Sequence, residues 1–194
     1  MHIVFAELLE LDRAAVQHSL DLLTPVTTAD LTRPTPCEGW TLGDLIAHMT
    51  AQHHGFAAAA TGHGADPASW RVQPHGPEPV TAYRKAADEV LAAFPAAEHI
   101  PFANPEFGAG TFPATLGVGF HLVDYLVHSW DVAISLNVPF HPGDTLVAAA
   151  LPIALAVPDG DQRLSPTYPF RPAIPGFTDA APFDQLLAAL GRNP

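Results

Sequence analysis

An all-α fold is what this sequence predicts: an antiparallel bundle of four long helices, with extra short helices and a proline-rich C-terminal tail. Three observations carry that expectation. Apolar residues recur at three- and four-residue steps over long stretches, Pro and Gly residues sit between those stretches, and no alternating strand pattern, internal repeat or coiled-coil heptad of any length interrupts them. With 194 residues the chain has the size of one core, so a single domain spanning 1–194 is expected.

The first helix runs from Phe5 to Leu23, with Phe5, Leu8, Leu9, Ala15, Val16, Leu20 and Leu23 on its stripe, and Pro25 forbids continuation past Thr24. Thr35-Pro36-Cys37-Glu38-Gly39-Trp40 is irregular backbone, after which Thr41 and Asp44 form a capping box. A second helix therefore begins near Leu42, buries Leu42, Leu45, Ile46, Met49 and Phe56, and frays by Gly62. A Gly-, Pro- and His-rich loop to Pro79 leads into a third helix carrying Tyr83, Ala87, Val90, Leu91 and Phe94, which Pro95 ends. The loop from Ala96 to Pro113 precedes a long fourth helix, Ala114 to Leu136, closed by Asn137 and Pro139. A fifth helix from Gly143 to Val157 is kinked at Pro152, and the tail ends in a short helix from Pro182 to Leu190, stopped by Gly191.

A composition 48% hydrophobic and 14% charged excludes a disordered acidic chain, even with a net charge of −12. Twenty acidic against eight basic side chains leave no basic stripe to grip a phosphate backbone, so nucleic acid is not an expected partner. Cys37 is the only cysteine, so no intrachain disulfide forms and the chain suits a reducing cytoplasm. The N-terminus MHIVFAELLELDR lacks a basic region, and no apolar run reaches the ~18–20 residues that span a bilayer. A cytoplasmic location without a membrane partner is expected. Of eleven histidines, His63, His75, His99 and His141 fall in loops and are expected to be solvated.

The chemistry concentrates in the fourth helix, His121-Leu-Val-Asp124-Tyr-Leu-Val-His128-Ser-Trp130-Asp131. Asp124 and His128, four positions apart, share a face among leucines and valines, where an ionised carboxylate is costly unless paired or bound to a cation. His48, on the apolar side of the second helix, supplies a third donor, as bundle sites draw ligands from facing helices. Two histidines and one carboxylate suit zinc, nickel or iron and leave coordination positions open for water or substrate. The Asp124/His128 spacing alone is a weak motif, and by pattern a buried hydrogen-bonded couple accounts for it more readily than a metal site. His121 is a spare ligand on the same face, and His53 and His54 are read as a wet helix end. Asp131 either orients a histidine or ties the helix to a neighbour. Cys37, beside Glu38, is disfavoured as a thiolate, and Trp40 and Trp130 are read as packing anchors.

Thr35-Pro36-Cys37-Glu38-Gly39-Trp40, then Leu45-Ile46-Ala47-His48, then Asp124-x-x-x-His128-Ser-Trp130-Asp131-Val-Ala133 resemble, in order and spacing, the actinobacterial branch of the DinB-like superfamily that includes mycothiol-dependent maleylpyruvate isomerase. The ending from Pro182 to Pro194 resembles a common tail of that branch. The resemblance implies a four-helix bundle holding a divalent metal, zinc or nickel, at His48, Asp124 and His128. It also implies a transferase or isomerase reaction between a low-molecular-weight thiol, mycothiol, and an electrophilic small molecule. A homodimer is compatible with the sequence, which does not itself set the oligomeric state. The isomerase itself resembles a longer chain with an added C-terminal domain and a glutamate where this chain has Asp124, so the thiol chemistry carries over further than the substrate. Two other functions are compatible with the same residues: a hydrolase using metal-bound water, and a metal- or ligand-binding bundle without turnover, in stress response or a biosynthetic pathway. Cations to meet a thiol's carboxylate are few: Arg13, Arg33, Arg71, Arg84, Lys85, Arg163, Arg171 and Arg192.

Overall fold

The structure, a computed structural model, describes residues 4–108, 110–165 and 168–194. Met1, His2 and Ile3 of the N-terminal segment and Ala109 of the loop before the fourth helix lie outside the described residues. The chain divides into two compact units, one ending at His141 and one comprising Pro142–Pro194.

The first unit holds the four long helices in their expected places: α1 Phe5–Leu23, α2 Leu42–Ala60, α3 Pro79–Ala93 and α4 Ala114–Leu136. Helix α1 packs along α4 and α2 along α3, while α2 also meets α4 and α1 meets α3, which closes a four-helix core. Local chemistry sets the ends. The Thr41 hydroxyl accepts from the Asp44 amide and the Asp44 carboxylate accepts from the Thr41 amide at 2.9 Å, so α2 starts at a full capping box. Asn137, left-handed at φ 57°, closes α4. The core is apolar and dense, with Leu42, Leu45, Ile46, Met49, Leu122 and Leu126 fully buried.

Part of the segment between α3 and α4 is not loop. Phe102–Ala103 (β1) and Thr111–Phe112 (β2) pair antiparallel, Phe102 opposite Phe112. Its anchor is tertiary: Phe102 is fully buried with its ring against Gly117 of α4, where a Cβ would lie 2.2 Å from the ring.

The second unit contains α5, Asp144–Leu155, with Pro152 inside it, and α6, Pro182–Ala189, which pack on each other. The tail between them is organised around Arg163. Its guanidinium, 1% exposed, donates to the carbonyls of Val157, Pro158, Arg171 and Ala189. Among the described residues no helix is long and apolar enough to cross a membrane.

Candidate metal centre

Helices α2 and α4 bring His48, Asp124 and His128 together: one donor atom from each lies within 4.8 Å of the others. His128 Nε2 is 3.4 Å from Asp124 Oδ1, the one-turn contact expected of residues four apart. The His48 and His128 rings meet edge to face at 5.2 Å. Asp124 Oδ2 is buried with no hydrogen-bond partner, the sort of orphaned acceptor that a cation would satisfy. Neutral imidazole nitrogens and a carboxylate are the donors zinc takes, so these residues fit a divalent metal.

The other edge of His128 is held too. Its Nδ1 lies 2.9 Å from Asp131 Oδ2, and the Cys37 thiol donates to the same oxygen at 3.4 Å. Cys37, His128 and Asp131 form a second grouping within 4.8 Å, on the opposite edge of the shared ring. The carboxylate oxygen there already accepts from the thiol, whereas Asp124 Oδ2 has no partner, and this favours the His48 side for an ion. Asp131 fills both roles open to it: it orients His128, and through the Cys37 thiol it ties α4 to the segment before α2.

Electrostatics point the same way. Burial by itself would lower the His128 pKa, yet the Asp124 charge and the hydrogen bond to Asp131 raise it to about 10. Two carboxylates around one imidazole thus favour a positive charge at that ring. Glu106, on the 3₁₀ turn Pro105–Phe107, adds to the negative field: desolvation and the Asp124 charge push its carboxyl above the usual range, and Gln52 donates to it at 3.5 Å. Trp40 is 37% exposed with its ring 4.9 Å from His48, so it borders the centre instead of anchoring the core, while Trp130 is half-buried.

The remaining histidines divide differently from the sequence expectation. His63, His75, His99 and His141 are exposed as expected. His54 is also at the surface, 3.0 Å from Glu89, but His53 is fully buried, so only half of that pair is a wet helix end. His121 does not join His48, Asp124 and His128. Its Nδ1 meets Asp12 Oδ1 at 2.6 Å and its Nε2 meets His53 Nδ1 at 3.1 Å, all three residues having no exposure. Sequence reasoning missed Asp12 altogether. Arg163 is committed to the tail's carbonyls, which removes it from the cations free to meet a ligand.

Comparison with known proteins gives this centre a context. The profile of the mycothiol maleylpyruvate isomerase N-terminal domain matches residues 13–133, a span that includes His48, Asp124, His128 and Asp131. The chain is 31% identical over 172 residues to an uncharacterised protein of Mycobacterium tuberculosis strain CDC 1551 / Oshkosh, covering 89% of this chain and 90% of that one. An uncharacterised protein of strain ATCC 25618 / H37Rv matches with the same identity and coverage. Among solved structures, the crystal structure of the mycothiol-dependent maleylpyruvate isomerase superposes with a TM-score of 0.61 at 18% identity, covering 79% of this chain and 68% of that chain. A histidine-to-alanine variant of that enzyme gives 0.62 at 16% identity with the same coverage. At such identities the superposition speaks for the fold, and the fold is the helical one expected of a DinB-like protein.

Proposed function

Because this chain belongs to the mycothiol maleylpyruvate isomerase N-terminal domain family, we propose that it is a cytoplasmic, metal-dependent transferase or isomerase that joins a low-molecular-weight thiol, mycothiol, to a small electrophile. The observation that carries the reading is the convergence of His48, Asp124 and His128 within 4.8 Å around a buried carboxylate oxygen without a partner. These residues would hold the metal. When bound, the ion would supply a Lewis acid that lowers the pKa of a thiol.

The protein's own groups then have separable tasks. Asp131 accepts from His128 Nδ1, which fixes the tautomer and turns the Nε2 lone pair toward Asp124 and His48. Asp124 offsets positive charge. Cys37 donates its proton to Asp131 and so acts as a hydrogen-bond partner in this mechanism, leaving the nucleophile to the external thiol. Trp40, half-open beside His48, forms an apolar wall where a substrate chain can lie.

The test is elemental analysis of protein purified without added metal, followed by thiol-dependent turnover against a panel of electrophiles. One metal per chain, lost in His128→Ala, together with thiol-dependent product, is the expected result. Stoichiometric metal with no turnover across the panel would replace the enzyme by a binding bundle, and turnover of an ester or amide without added thiol would replace the transferase by a hydrolase.

A further inference from the structure

The β1–β2 ribbon brings a carboxylate up beside the candidate centre. Helices α2 and α4 run antiparallel: His48 meets the ring of His128, and His53, five residues later on α2, meets His121, seven residues earlier on α4. Gln52 lies one turn after His48 and Phe120 one turn before Asp124, so both are displaced from the ligands to the same side, by ~6 Å along the helix axes. The ribbon is seated on these two residues. Phe112 of β2 meets the Phe120 ring edge-on at 5.5 Å, and Glu106, on the turn that links the strands, accepts from the Gln52 amide at 3.5 Å.

Glu106 is held in place but not satisfied. The Asn104 side chain, buried, accepts from the Glu106 amide at 2.8 Å and starts the turn, which fixes the backbone there, and Gln52 is buried at 4% exposure. Glu106 itself faces solvent in part, so a ligand can reach it. Among the described residues, the long bond from Gln52 is the only hydrogen bond to its carboxylate, and no cation pairs with it. The surroundings are negative: burial and then the Asp124 charge push the carboxyl up, and no arginine or lysine offsets them. A ligand group that donates hydrogen bonds or carries positive charge relieves both effects, whereas an anionic group adds a further negative charge.

We propose that Glu106 is a specificity-determining residue of the candidate centre, accepting hydrogen bonds from the tail of the thiol and selecting tails that carry hydroxyl, amide or ammonium donors over anionic ones. Gln52 acts through it as a positioning residue, its buried amide aiming the carboxylate. The ribbon sets the distance, because Phe112 on Phe120 and Glu106 on Gln52 tie it to both helices one turn from the ligands. The proposal rests on the thiol-transfer reading, since it assigns the far end of the same ligand.

Thiol binding to the cobalt-loaded protein, read from the thiolate-to-cobalt absorption in the near ultraviolet, tests it without turnover. Three probes share a short spacer and differ in the charge at its end: thiocholine is positive, 2-mercaptoethanol neutral and 2-mercaptoethanesulfonate negative. Their thiol acidities differ, so the reading is each probe's change between wild type and variant at fixed pH and low salt. Glu106→Gln should weaken thiocholine about threefold or more and tighten 2-mercaptoethanesulfonate by a similar factor. It should alter 2-mercaptoethanol least, because the new amide still presents an acceptor. Glu106→Asp keeps the charge and should keep the wild-type order of preference. All three affinities within about 1.5-fold of wild type in cobalt-loaded Glu106→Gln would overturn the specificity role and leave the thiol reading intact. A cobalt-loaded wild type that shows the thiolate band with none of the probes overturns both.

Discussion

Metal affinity should rise steeply with pH, and the size of the effect follows from His128. Without metal, the Asp124 charge and the Asp131 hydrogen bond overcome burial and hold that ring's pKa at about 10. A metal needs the Nε2 lone pair, so binding must displace the proton there while Nδ1–H stays on Asp131. At pH 7.5 the bound proton therefore weakens zinc by about 300-fold relative to the deprotonated site, and each pH unit between about 6.5 and 9 should tighten binding about tenfold, or ~1.4 kcal/mol. Competition with a chromophoric chelator at pH 6.5, 7.5 and 8.5 measures the slope, and calorimetry in buffers of different ionisation enthalpy counts the proton. Stability changes with the opposite sign in the metal-free protein. A histidine whose pKa is raised in the folded state stabilises fully below its ordinary value of 6.5, and that contribution is lost as pH climbs toward 10. Over the same interval metal-free protein should thus lose melting temperature, while zinc-loaded protein holds its own, because the tighter binding offsets the lost histidine contribution. An affinity flat across two pH units, with no proton released, would refute the assignment of His128 as a ligand.

Cys37→Ser should retain zinc and thiol-dependent turnover, since its hydroxyl can still donate to Asp131, whereas Asp124→Ala should lose both; Asp124→Glu should retain zinc, as metal analysis and kinetics will show. Gly117→Ala should destabilise the first unit by about 1–3 kcal/mol in urea titrations, because the new Cβ would lie 2.2 Å from the Phe102 ring. Arg163→Ala strips the donor shared by four carbonyls and should speed proteolysis of the 158–181 tail severalfold, with Arg163→Lys failing to restore it because an ammonium cannot span that spread of acceptors.

The helices of the first unit were legible in the sequence because their ends are local chemistry. Pro25, the Thr41/Asp44 box, Pro95 and Asn137 each act on backbone groups within a turn of themselves, and the observed limits fall beside them. The ribbon Phe102–Ala103/Thr111–Phe112 was not legible for the converse reason. Two-residue strands carry no period, and their register depends on Phe102 finding Gly117, a contact made only once α4 is in position. The tail is similar: nothing near Arg163 in sequence announces that its guanidinium will collect the carbonyls of Arg171 and Ala189.

Within the site region the division between legible and hidden runs along helix periodicity. His48, Asp124 and His128 stood out because polar residues among leucines and valines on one face demand partners. Asp12 and His53 satisfy the same criterion and were passed over. Asp12 is four residues after Leu8 and four before Val16, squarely on the stripe that α1 buries. His53 is four after Met49 and three before Phe56, both on the buried stripe of α2, so its proximity to the exposed His54 was the misleading cue and its phase the reliable one. Burial at each position was therefore readable from spacing alone. Pairing was not, since Asp12, His53 and His121 come from three helices, and only the packing of α1 and α2 against α4 brings a carboxylate and an imidazole to the two nitrogens of His121.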